Sequence, residues 1–370
     1  MKTMQLVPAM EQGGVERGVV EMNRAIVAAG WENVVVSAGG RLAEQIVSDG
    51  GRHVAMDVKS KNPLTYLARA AQLRRLLDVE RPDAVCAHSR VPAWLFARAG
   101  RGLGIPWITF AHGANSVSRY SRIMTAGDLT VTPSRYIADY LKDAYGIAEE
   151  KLRVIPRAVE RDRFDPDSLD CGFVDEKRAE WGLDGCYVVM GVGRITQLKG
   201  YDGLVRAMAR LRDVAPRSRP GGRFKLVIVG EAEELRRDVE TDLRKLVRNL
   251  GLVDSVVFAG NQRKVAECLS LADVVVSSNT KKPEAFGRSM AEALAMGRPV
   301  VAKAFGGAID IVRDGVDGVL VRAGGDFADA ILKVSGMRFD AADLRRSALE
   351  RFSFAKMVER SLSVYKEVVK

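Results

Sequence analysis

The feature that most constrains the fold is an alternation of short apolar segments with longer helical ones along the chain. Short apolar segments typical of buried strands occur at 4–10, 33–37, 53–56, 84–87, 107–111, 129–132, 187–191, 224–229, 256–258, 274–277 and 299–302. Segments with apolar residues at helical spacing occur at 63–78, 136–144, 201–214 and 355–369. Such alternation is typical of parallel strands joined by crossover helices. We therefore predict an α/β fold.

The length of 370 residues favours two domains, each large enough to bury a core of its own. The segment 161–181 is rich in Asp, Arg and Pro and has no helical or strand periodicity, which is typical of a linker. We predict a first domain at 1–165, a linker at 166–182, a second domain at 183–351 and a closing helical segment at 352–370.

The composition disfavours several classes of protein. No apolar run approaches the ~18 residues that span a bilayer, and the first strand pattern begins near Lys2, so we expect neither a membrane span nor a signal peptide. The four cysteines are scattered without a CxxC pair, which disfavours zinc and disulfides and favours a reducing cytoplasm. The net charge of +10 would attract phosphates of any kind. Nucleic acid is disfavoured because only 6% of residues are aromatic and the basic residues are mixed with acidic ones.

Two glutamates, Glu284 and Glu292, occur in the stretch 283–297, which reads PEAFGRSMAEALAMG. The spacing of its apolar residues predicts a helix that begins near Gly287 and stops at Gly297. Because strand patterns precede and follow it, the helix start would lie at the carboxyl edge of a parallel sheet, where α/β proteins bind ligands. Helix N–H groups suit a phosphate, and two carboxylates suit sugar hydroxyls. We predict a nucleotide-sugar site; the alternative is a solvated helix with a capping glutamate.

Two cations precede another predicted helix at the same sheet edge. Arg194 and Lys199 lie in the loop GVGRITQLKG, after a strand pattern. A guanidinium and an ammonium there can neutralise a diphosphate leaving group without a metal ion. The motif Asp165-Pro166-Asp167 has the form of a metal-binding DxD, but the proline between the acids favours a turn. We predict no metal site and no cofactor.

The first half of the chain carries glycines and histidines at predicted strand ends. Gly13 and Gly14 follow the first strand and would let the backbone approach a ligand closely; a plain tight turn is the alternative. GxGxxG does not occur there, which disfavours a Rossmann dehydrogenase. His88 and His112 come directly after strand patterns, where ligand crevices form, although a structural role stays open for both. His53 begins a strand and is assigned a structural role.

These motifs, in this order, resemble the retaining glycosyltransferases of the GT-B fold, in particular glycosyltransferase family four, also called glycosyl transferases group one. The first half matches through QGGVERGV, TFAHG, TPSRYIADYL and VIPRAVERDRF, and the second through VGRITQLKG, VIVGEAEE, VFAG and PEAFGRSMAEALAMGRPVVA with FGGAIDIV behind it. The resemblance covers nearly the whole chain. It implies two Rossmann-like domains that face each other across a donor-binding cleft, with the acceptor bound by the N-terminal domain and the nucleotide sugar by the C-terminal one. It also implies that the last helix crosses back onto the first domain.

The resemblance also implies roles for single residues. Arg194 and Lys199 would bind the donor diphosphate and would form the catalytic set with Glu284 and His112. Glu284 would orient hydroxyls of the transferred sugar, with His112 beside that sugar, and Glu292 would hold the nucleotide ribose. The remaining donor contacts would come from the backbone at Gly14, Phe286, Gly287 and Arg288.

The implied activity is transfer of a hexosyl unit from a nucleotide sugar to an acceptor hydroxyl, with retention at the anomeric carbon, in lipopolysaccharide or surface polysaccharide biosynthesis. A UDP-hexose is the favoured donor and GDP-mannose the alternative. A GT-B sugar-nucleotide epimerase and a nucleic-acid-binding protein are less favoured. The acceptor would be a saccharide or a lipid-linked saccharide, with His88 as a candidate contact. Arg157-Ala158 stands where the family often has Asn-Gly, and Asp310 where Glu is commoner, which leaves substrate detail open.

A lipid-linked acceptor would bring a cytoplasmic enzyme to the inner face of the cell membrane as a peripheral protein. The segment from Pro63 to Arg81 is the candidate contact. Its apolar stripe would consist of Leu64, Leu67, Ala71, Leu76 and Leu77, and its charge would come from Arg69, Arg74, Arg75 and Arg81. Basic side chains near an anionic leaflet gain about 1 kcal/mol each, which predicts a weak contact. The alternative is an ordinary crossover helix packed on the sheet.

Overall fold

The computed structural model describes residues 1–11, 13–218, 223–279 and 282–369. The chain divides into two compact units. Unit 1 comprises Met1–Arg157 and Ala355–Lys370, and unit 2 comprises Ala158–Phe354. The last helix of the chain therefore belongs to the first unit.

Unit 1 is built on a seven-stranded sheet in which every pair of neighbouring strands is parallel. Its strands are β1 (Lys2–Leu6), β2 (Glu32–Ser37), β3 (Arg52–Ala55), β4 (Ala84–Ala87), β5 (Trp107–Phe110), β6 (Leu129–Thr132) and β7 (Leu152–Val154), in the order β3-β2-β1-β4-β5-β6-β7. Its helices are α1 (Gly14–Ala28), α2 (Ala43–Ser48), α3 (Tyr66–Glu80), α4 (Arg90–Ala99), α5 (Arg135–Tyr145) and the C-terminal α14 (Phe354–Val368).

Unit 2 contains a six-stranded parallel sheet of the same kind. Its strands are β8 (Cys186–Val192), β9 (Arg223–Val229), β10 (Val256–Gly260), β11 (Val274–Ser277), β12 (Val300–Lys303) and β13 (Gly318–Val321), in the order β10-β9-β8-β11-β12-β13. Its helices are α6 (Cys171–Glu180), α7 (Tyr201–Ser218), α8 (Arg237–Asn249), α9 (Val265–Ser270), α10 (Arg288–Ala295), α11 (Ala308–Ile311), α12 (Phe327–Gly336) and α13 (Ala341–Arg351).

The strands are apolar on both faces because helices cover both faces of each sheet. In β2, Val34 and Val36 pack into one core layer of unit 1, while Val35 packs into the other. In β8, Val188 and Met190 face one layer of unit 2 and Val189 faces the opposite one. Sheets buried on both faces need strands that are continuously hydrophobic, and this is why the sequence shows short apolar runs.

The strand order reverses once in each sheet. In unit 1 the reversal lies between β1 and β4, and in unit 2 it lies between β8 and β11. The loops that leave the carboxyl ends of two such strands diverge and leave a crevice, which is where open α/β sheets bind ligands. This topology places the loops that carry Gly14 and His88 side by side in unit 1, and those that carry Arg194 and Glu284 side by side in unit 2.

The segment 166–182, which we predicted as a linker, belongs to unit 2 and contains α6. Asp170 caps this helix by accepting a hydrogen bond from the backbone N–H of Phe173 at 3.1 Å. Phe173 and Trp181 pack against the core of unit 2. Together with Val174, these apolar contacts and the capped start hold a helix whose other residues are mostly polar. The division between units falls after Arg157, earlier than the predicted boundary at 165.

Helix α3 separates the residues that we predicted as one apolar stripe. Leu77 is buried in the core, whereas Leu67 is 63% exposed. Arg69 is buried and donates from Nε to Thr65 Oγ1 at 3.1 Å. Arg74 donates to two backbone oxygens at the end of α4, at 3.2 and 2.9 Å. Both arginines therefore form hydrogen bonds within unit 1.

Among the helices that the described residues form, none combines the length and the apolar character needed to cross a bilayer.

Candidate active site

The loop after β8, residues 193–199, is shaped by close packing around Lys199. Gly193 has a φ of 140°, and a Cβ on Gly193 would lie 3.0 Å from Lys199 Cε. Glycine adopts such a backbone without strain, so it leaves the space that the lysine side chain occupies. Ser278 Oγ donates to the backbone oxygen of Lys199 at 2.8 Å, and the Tyr201 hydroxyl donates to that of Gly193 at 3.1 Å. These bonds fix Lys199 at the carboxyl edge of the sheet.

Lys199 Nζ donates to Glu284 Oε1, so the structure brings together two residues that are 85 positions apart in the sequence. Each side chain is only about a quarter exposed, at 25% and 26%. Attraction between charges is stronger in such a partly buried place than in open water. Burial raises the pKa of the Tyr201 hydroxyl above its usual value, and the negative charge of Glu284 raises it further. A cation and a carboxylate thus meet where the strand order reverses.

Arg194 lies in the same loop and pairs with Glu233, which follows β9. Both side chains are well exposed, at 71% and 55%. An exposed ion pair contributes ~0–1 kcal/mol, so an anionic ligand can replace Glu233 at little cost. We did not predict Glu233 from the sequence, although it lies in the acidic run GEAEE, which directly follows a strand.

The loop between β11 and α10 rests on a glycine pair, Gly306 and Gly307. Gly307 N donates to the backbone oxygen of Glu284 at 2.8 Å, and a Cβ on Gly307 would lie 2.3 Å from the backbone oxygen of Phe286. The Phe286 side chain is buried, with its ring 5.5 Å from that of Phe352. It is therefore a core residue, and only its backbone is placed to meet a ligand. The double glycine of FGGAIDIV supports this loop, a role that the sequence reasoning did not assign.

Helix α10 begins where the sequence predicted, directly after Gly287. Gly287 has a φ of 103°, and a Cβ there would lie 2.1 Å from Met290 Cε, so the position requires glycine. Arg288 is the first helical residue and Glu292 lies in the second turn. Both side chains are half-buried. The N-terminus of the helix lies in the same loop region as Glu284.

In unit 1, Gly13 occupies the N-cap of α1 and Gly14 is its first residue. A Cβ on Gly14 would meet no described atom within 4 Å. Packing among the described residues therefore does not explain the glycine at position 14.

His88 and His112 lie next to each other at the ends of β4 and β5. His88 Nδ1 is 3.0 Å from His112 Nε2. His88 Nε2 is 3.0 Å from Gln5 Oε1, and His112 Nδ1 is 2.7 Å from an amino nitrogen of Arg157. All four ring nitrogens therefore have partners inside unit 1. His88, our candidate acceptor contact, is buried, and the structure gives it a hydrogen-bonding role within the unit.

Both imidazoles are held neutral. Burial lowers the pKa of His88 to about 3, and the positive charge of Arg157 contributes. Burial also lowers the pKa of His112 well below its usual range, with smaller contributions from Arg157 and His88. A general acid or base needs a pKa near the working pH. His112 is therefore not suited to proton transfer in this state.

Asp165, the first acid of the DxD motif, accepts a hydrogen bond from Arg345 at 2.9 Å. It also precedes a single turn of 3-10 helix at Pro166–Ser168. Over residues 1–11, 13–218, 223–279 and 282–369, no three His, Cys, Asp or Glu side chains are grouped as the ligands of a metal ion would be.

Unit 2 thus presents two cations, a carboxylate and a helix start at the reversal point of a parallel sheet. These features define a doubly wound α/β protein with a site suited to a phosphorylated, hydroxyl-rich ligand. The chain belongs to the glycosyl transferases group 1: residues 173–351 match the profile of that description, and residues 12–163 match the profile described as Glycosyltransferase Family 4.

The chain is similar to proteins named D-inositol 3-phosphate glycosyltransferase. It is 36% identical over 256 residues to the one from Acidothermus cellulolyticus, an alignment that covers 67% of this chain and 55% of that relative. It is 32% identical over 314 residues to the one from Stackebrandtia nassauensis, which covers 78% of this chain and 68% of the relative. The chain therefore spans little more than half the length of the first of these proteins.

Solved structures share the fold over the whole chain. A glycosyltransferase from Rickettsia africae ESF-5 superposes with a TM-score of 0.89 at 25% identity, covering 100% of this chain and 98% of the other. Anabaena Alr3699/HepE, in complex with UDP and glucose, superposes with a TM-score of 0.79 at 21% identity, covering 99% and 100%. The fold is the two-unit α/β fold of the GT-B glycosyltransferases, as the resemblance implied.

Proposed function

We propose that this chain is a retaining glycosyltransferase that moves a hexosyl unit from a UDP-sugar to an acceptor hydroxyl. The observation that carries the proposal is the contact between Lys199 and Glu284 in the loop region that leads into α10. A cation, a carboxylate and helix N–H groups occur together there within one unit. A nucleotide sugar has the complementary groups, namely a diphosphate and sugar hydroxyls. Membership of the group 1 family supports the same assignment.

The reaction requires stabilisation of a leaving nucleoside diphosphate. Negative charge grows on the diphosphate as its bond to the sugar breaks, so fixed cations stabilise the transition state more than the ground state. Lys199 and Arg194 are the proposed cations, and the start of α10 at Arg288 adds the positive end of a helix dipole. In the structure Lys199 is paired with Glu284 and Arg194 with Glu233. Donor binding exchanges those carboxylates for phosphate oxygens.

This exchange gives Glu284 a second role besides its pairing with Lys199. When Lys199 turns to the phosphate, the Glu284 carboxylate is released to accept hydrogen bonds from hydroxyls of the transferred sugar. Glu292 is proposed to hold the nucleotide ribose, and the backbone at Phe286, Gly287 and Arg288 to complete the donor contacts. From unit 1 the proposal includes Gly14 and His112. Retention then follows from attack by the acceptor on the face from which the diphosphate leaves.

The donor and acceptor are proposed from chemistry and from relatives. UDP-hexose is the favoured donor, as UDP and glucose are bound by the Anabaena protein, and GDP-mannose is the alternative. The proposed acceptor is a saccharide of a lipopolysaccharide or surface polysaccharide, free or lipid-linked. The relatives' names offer an inositol phosphate as a second acceptor for the assay. Of the residues predicted for the membrane contact, Leu64, Leu67, Ala71, Arg75 and Arg81 are exposed.

Thermal unfolding with a panel of nucleotide sugars tests the proposal. A ligand at 100 times its dissociation constant adds about 2.7 kcal/mol to the free energy of unfolding, so UDP-hexoses should raise the melting temperature clearly. ADP-sugars and GDP-mannose should not. UDP release that needs an added acceptor would separate a transferase from an epimerase. Stabilisation by GDP-mannose alone would identify GDP-mannose as the donor in place of a UDP-hexose. Stabilisation by no nucleotide sugar would overturn the proposal.

A further inference from the structure

We infer that Arg157, His88 and Gln5 are positioning residues for His112, because they belong to one chain of hydrogen bonds with a single direction. The catalytic part of this inference rests on the proposed function. The chain itself is a property of unit 1 alone. Its members are buried or half-buried side chains followed by a backbone oxygen, in the order Arg157, His112, His88, Gln5, Asn33, Asn23 and Ile46. The successive donor–acceptor distances are 2.7, 3.0, 3.0, 3.2, 2.8 and 3.1 Å.

The charged end of the chain fixes its direction. A guanidinium has five N–H donors and no acceptor, so His112 Nδ1 must accept from Arg157 and the proton of His112 must lie on Nε2. That N–H donates to His88 Nδ1, which places the His88 proton on Nε2 as well. The His88 N–H then donates to the oxygen of the Gln5 amide. The Arg157 cation therefore sets the tautomers of His112 and His88 and the orientation of the Gln5 amide.

The other end of the chain independently requires the same direction. The backbone oxygen of Ile46 can only accept, so the Asn23 amide nitrogen donates to it and the Asn23 oxygen faces Asn33. The Asn33 nitrogen donates there, and the Asn33 oxygen accepts from Gln5 and also from Thr3 Oγ1 at 2.9 Å. Reversing any member would set two donors or two acceptors against each other in the buried core, which is unfavourable. Bonds that all point one way polarise one another and strengthen the chain.

Two glycines leave space at the two ends of the chain. A Cβ on Gly18 would lie 2.2 Å from an amino nitrogen of Arg157, and a Cβ on Gly51 would lie 2.0 Å from Asn23 Oδ1. Gly18 lies within α1, where alanine would favour the helix. Space for the Arg157 guanidinium is a physical reason for glycine at this helical position.

The chain determines what His112 can contribute to the reaction. It holds the ring neutral, in one tautomer and in one orientation, because a proton on His112 Nδ1 would set two donors against each other at Arg157, which cannot accept. The cavity beside Gly18, His88, His112 and Arg157 measures about 20 Å³, which is room for about one water molecule. Close packing therefore also restrains the two rings from turning. His112 is available as an oriented neutral group, whereas Arg157, His88 and Gln5 act through it.

Nitrogen NMR of the histidine rings tests the hydrogen-bond chain directly. The protein contains only three histidines, so each can be assigned by a single substitution, with His53 as the internal reference. We expect His88 and His112 each to carry one proton, on Nε2, and to keep that form between pH 6 and pH 8, the range around the ordinary histidine pKa of about 6.5. A proton on Nδ1 of either ring, or on both nitrogens of either ring, would overturn the inference.

Substitutions at the charged end test its effect on His112. Gly18→Ala should displace the Arg157 guanidinium while leaving the helix intact, and Arg157→Met should remove the donor. Both should give mixed tautomers at His112 and lower kcat about 10- to 100-fold, the scale expected when a group near the reaction is misplaced. Arg157→Lys, which restores a cationic donor, should recover the Nε2–H form. Gly336→Ala, at an exposed helical glycine with open space around its Cβ, is the matched control and should change neither readout.

The two readouts separate this inference from the proposed function. Unchanged His112 signals in folded Gly18→Ala and Arg157→Met proteins would show that Arg157 does not direct the chain, whatever the activity. Altered His112 signals with unchanged kcat would show that the position of His112 set by Arg157 does not matter to the reaction. The ring signals of the wild-type protein decide the direction of the chain even if no transferase activity is found with any donor.

Discussion

At the residue scale, the candidate donor site consists of charges that pair with one another until a ligand takes their place. Lys199 is partly buried against Glu284, while Arg194 is exposed and pairs with Glu233. An exposed pair is easily exchanged, whereas a partly buried one fixes the geometry of its members. The contact with Glu284 therefore fixes the position of Lys199 before a donor binds.

Lys199→Ala and Arg194→Ala should each lower kcat by about 10²- to 10³-fold, as loss of one group that stabilises a developing anion does in other enzymes. Steady-state kinetics with a UDP-hexose measure the effect. Lys245→Ala is the control, because Lys245 forms an exposed ion pair with Asp242 in the same unit and has no part in the proposed site. Near wild-type turnover in a folded Lys199→Ala protein would remove this lysine from the diphosphate role.

A second residue-scale prediction concerns the buried carboxylate of Asp317. Burial alone would raise its pKa, but hydrogen bonds and charge from Arg313 outweigh burial, and Arg351 contributes, so the pKa lies below its usual value. A lowered pKa in the folded state means that the stabilising effect is complete above the unfolded pKa of about 3.9 and is lost as the pH falls through the folded pKa. Asp317→Asn should lower the free energy of unfolding by about 3 kcal/mol at pH 7.

Urea unfolding at several pH values measures this contribution. The difference between wild type and Asp317→Asn should be constant at neutral pH and shrink below about pH 4. Asp329→Asn removes an exposed partner of Arg210 and should cost no more than about 1 kcal/mol. A difference that grows with acidity would contradict the assigned direction of the pKa.

At the element scale, the strands were predictable because a parallel sheet covered on both faces needs continuous apolar runs. The sequence reasoning missed the edge strands β7 and β13, which have only three and four residues. It also missed α6, whose contacts with the core come mainly from Phe173 and Val174. A strand of three residues and a mostly polar helix depend on tertiary contacts that local periodicity does not reveal.

The same distinction applies to the elements of the site. Residues in the loops that follow strands, such as Lys199 after β8 and Glu284 after β11, were identified because parallel strands bring their carboxyl ends to one edge. Glu233, the Gly306–Gly307 support and the contact between Arg157 and His112 were not identified. Their roles depend on which distant backbone or side chain they meet, and one sequence does not contain that information.

Gly307→Ala tests how the site loop is supported. Its Cβ would lie 2.3 Å from the backbone oxygen of Phe286, so the loop that carries Glu284 must move. Since a displacement of about 1 Å can cost about 100-fold in rate, we expect kcat/KM for the donor to fall at least about tenfold. Circular dichroism and the melting temperature should show that the unit stays folded, and Gly336→Ala is again the control. Normal kinetics in Gly307→Ala would show that this loop position is not important.

At the scale of the whole molecule, the chain forms two α/β units on parallel sheets, and its C-terminal helix returns to the first unit. Each unit has its reversal point next to its first strand. Such points are the usual ligand sites of this architecture, which is why sequence reasoning could identify site candidates in both halves. The net charge of +10 is consistent with phosphorylated substrates and does not select among them.

Transfer should survive chelation of divalent metal ions. Lys199, Arg194 and the start of α10 are proposed to supply together the positive field that a divalent ion supplies in other transferases. The rate with EDTA and the rate with added magnesium or manganese should agree within about twofold, a free-energy difference below 1 kcal/mol. Abolition by EDTA with recovery on adding either ion would contradict the proposed role of these groups.

The most direct test of the central claim is a proton NMR time course of the 370-residue protein with a UDP-α-hexose and an acceptor. The account predicts that UDP appears only when the acceptor is present and that the first product carries the α configuration at the transferred sugar. It also predicts that Lys199→Ala slows both signals together. A β-configured product, or release of UDP that does not depend on the acceptor, would contradict the account.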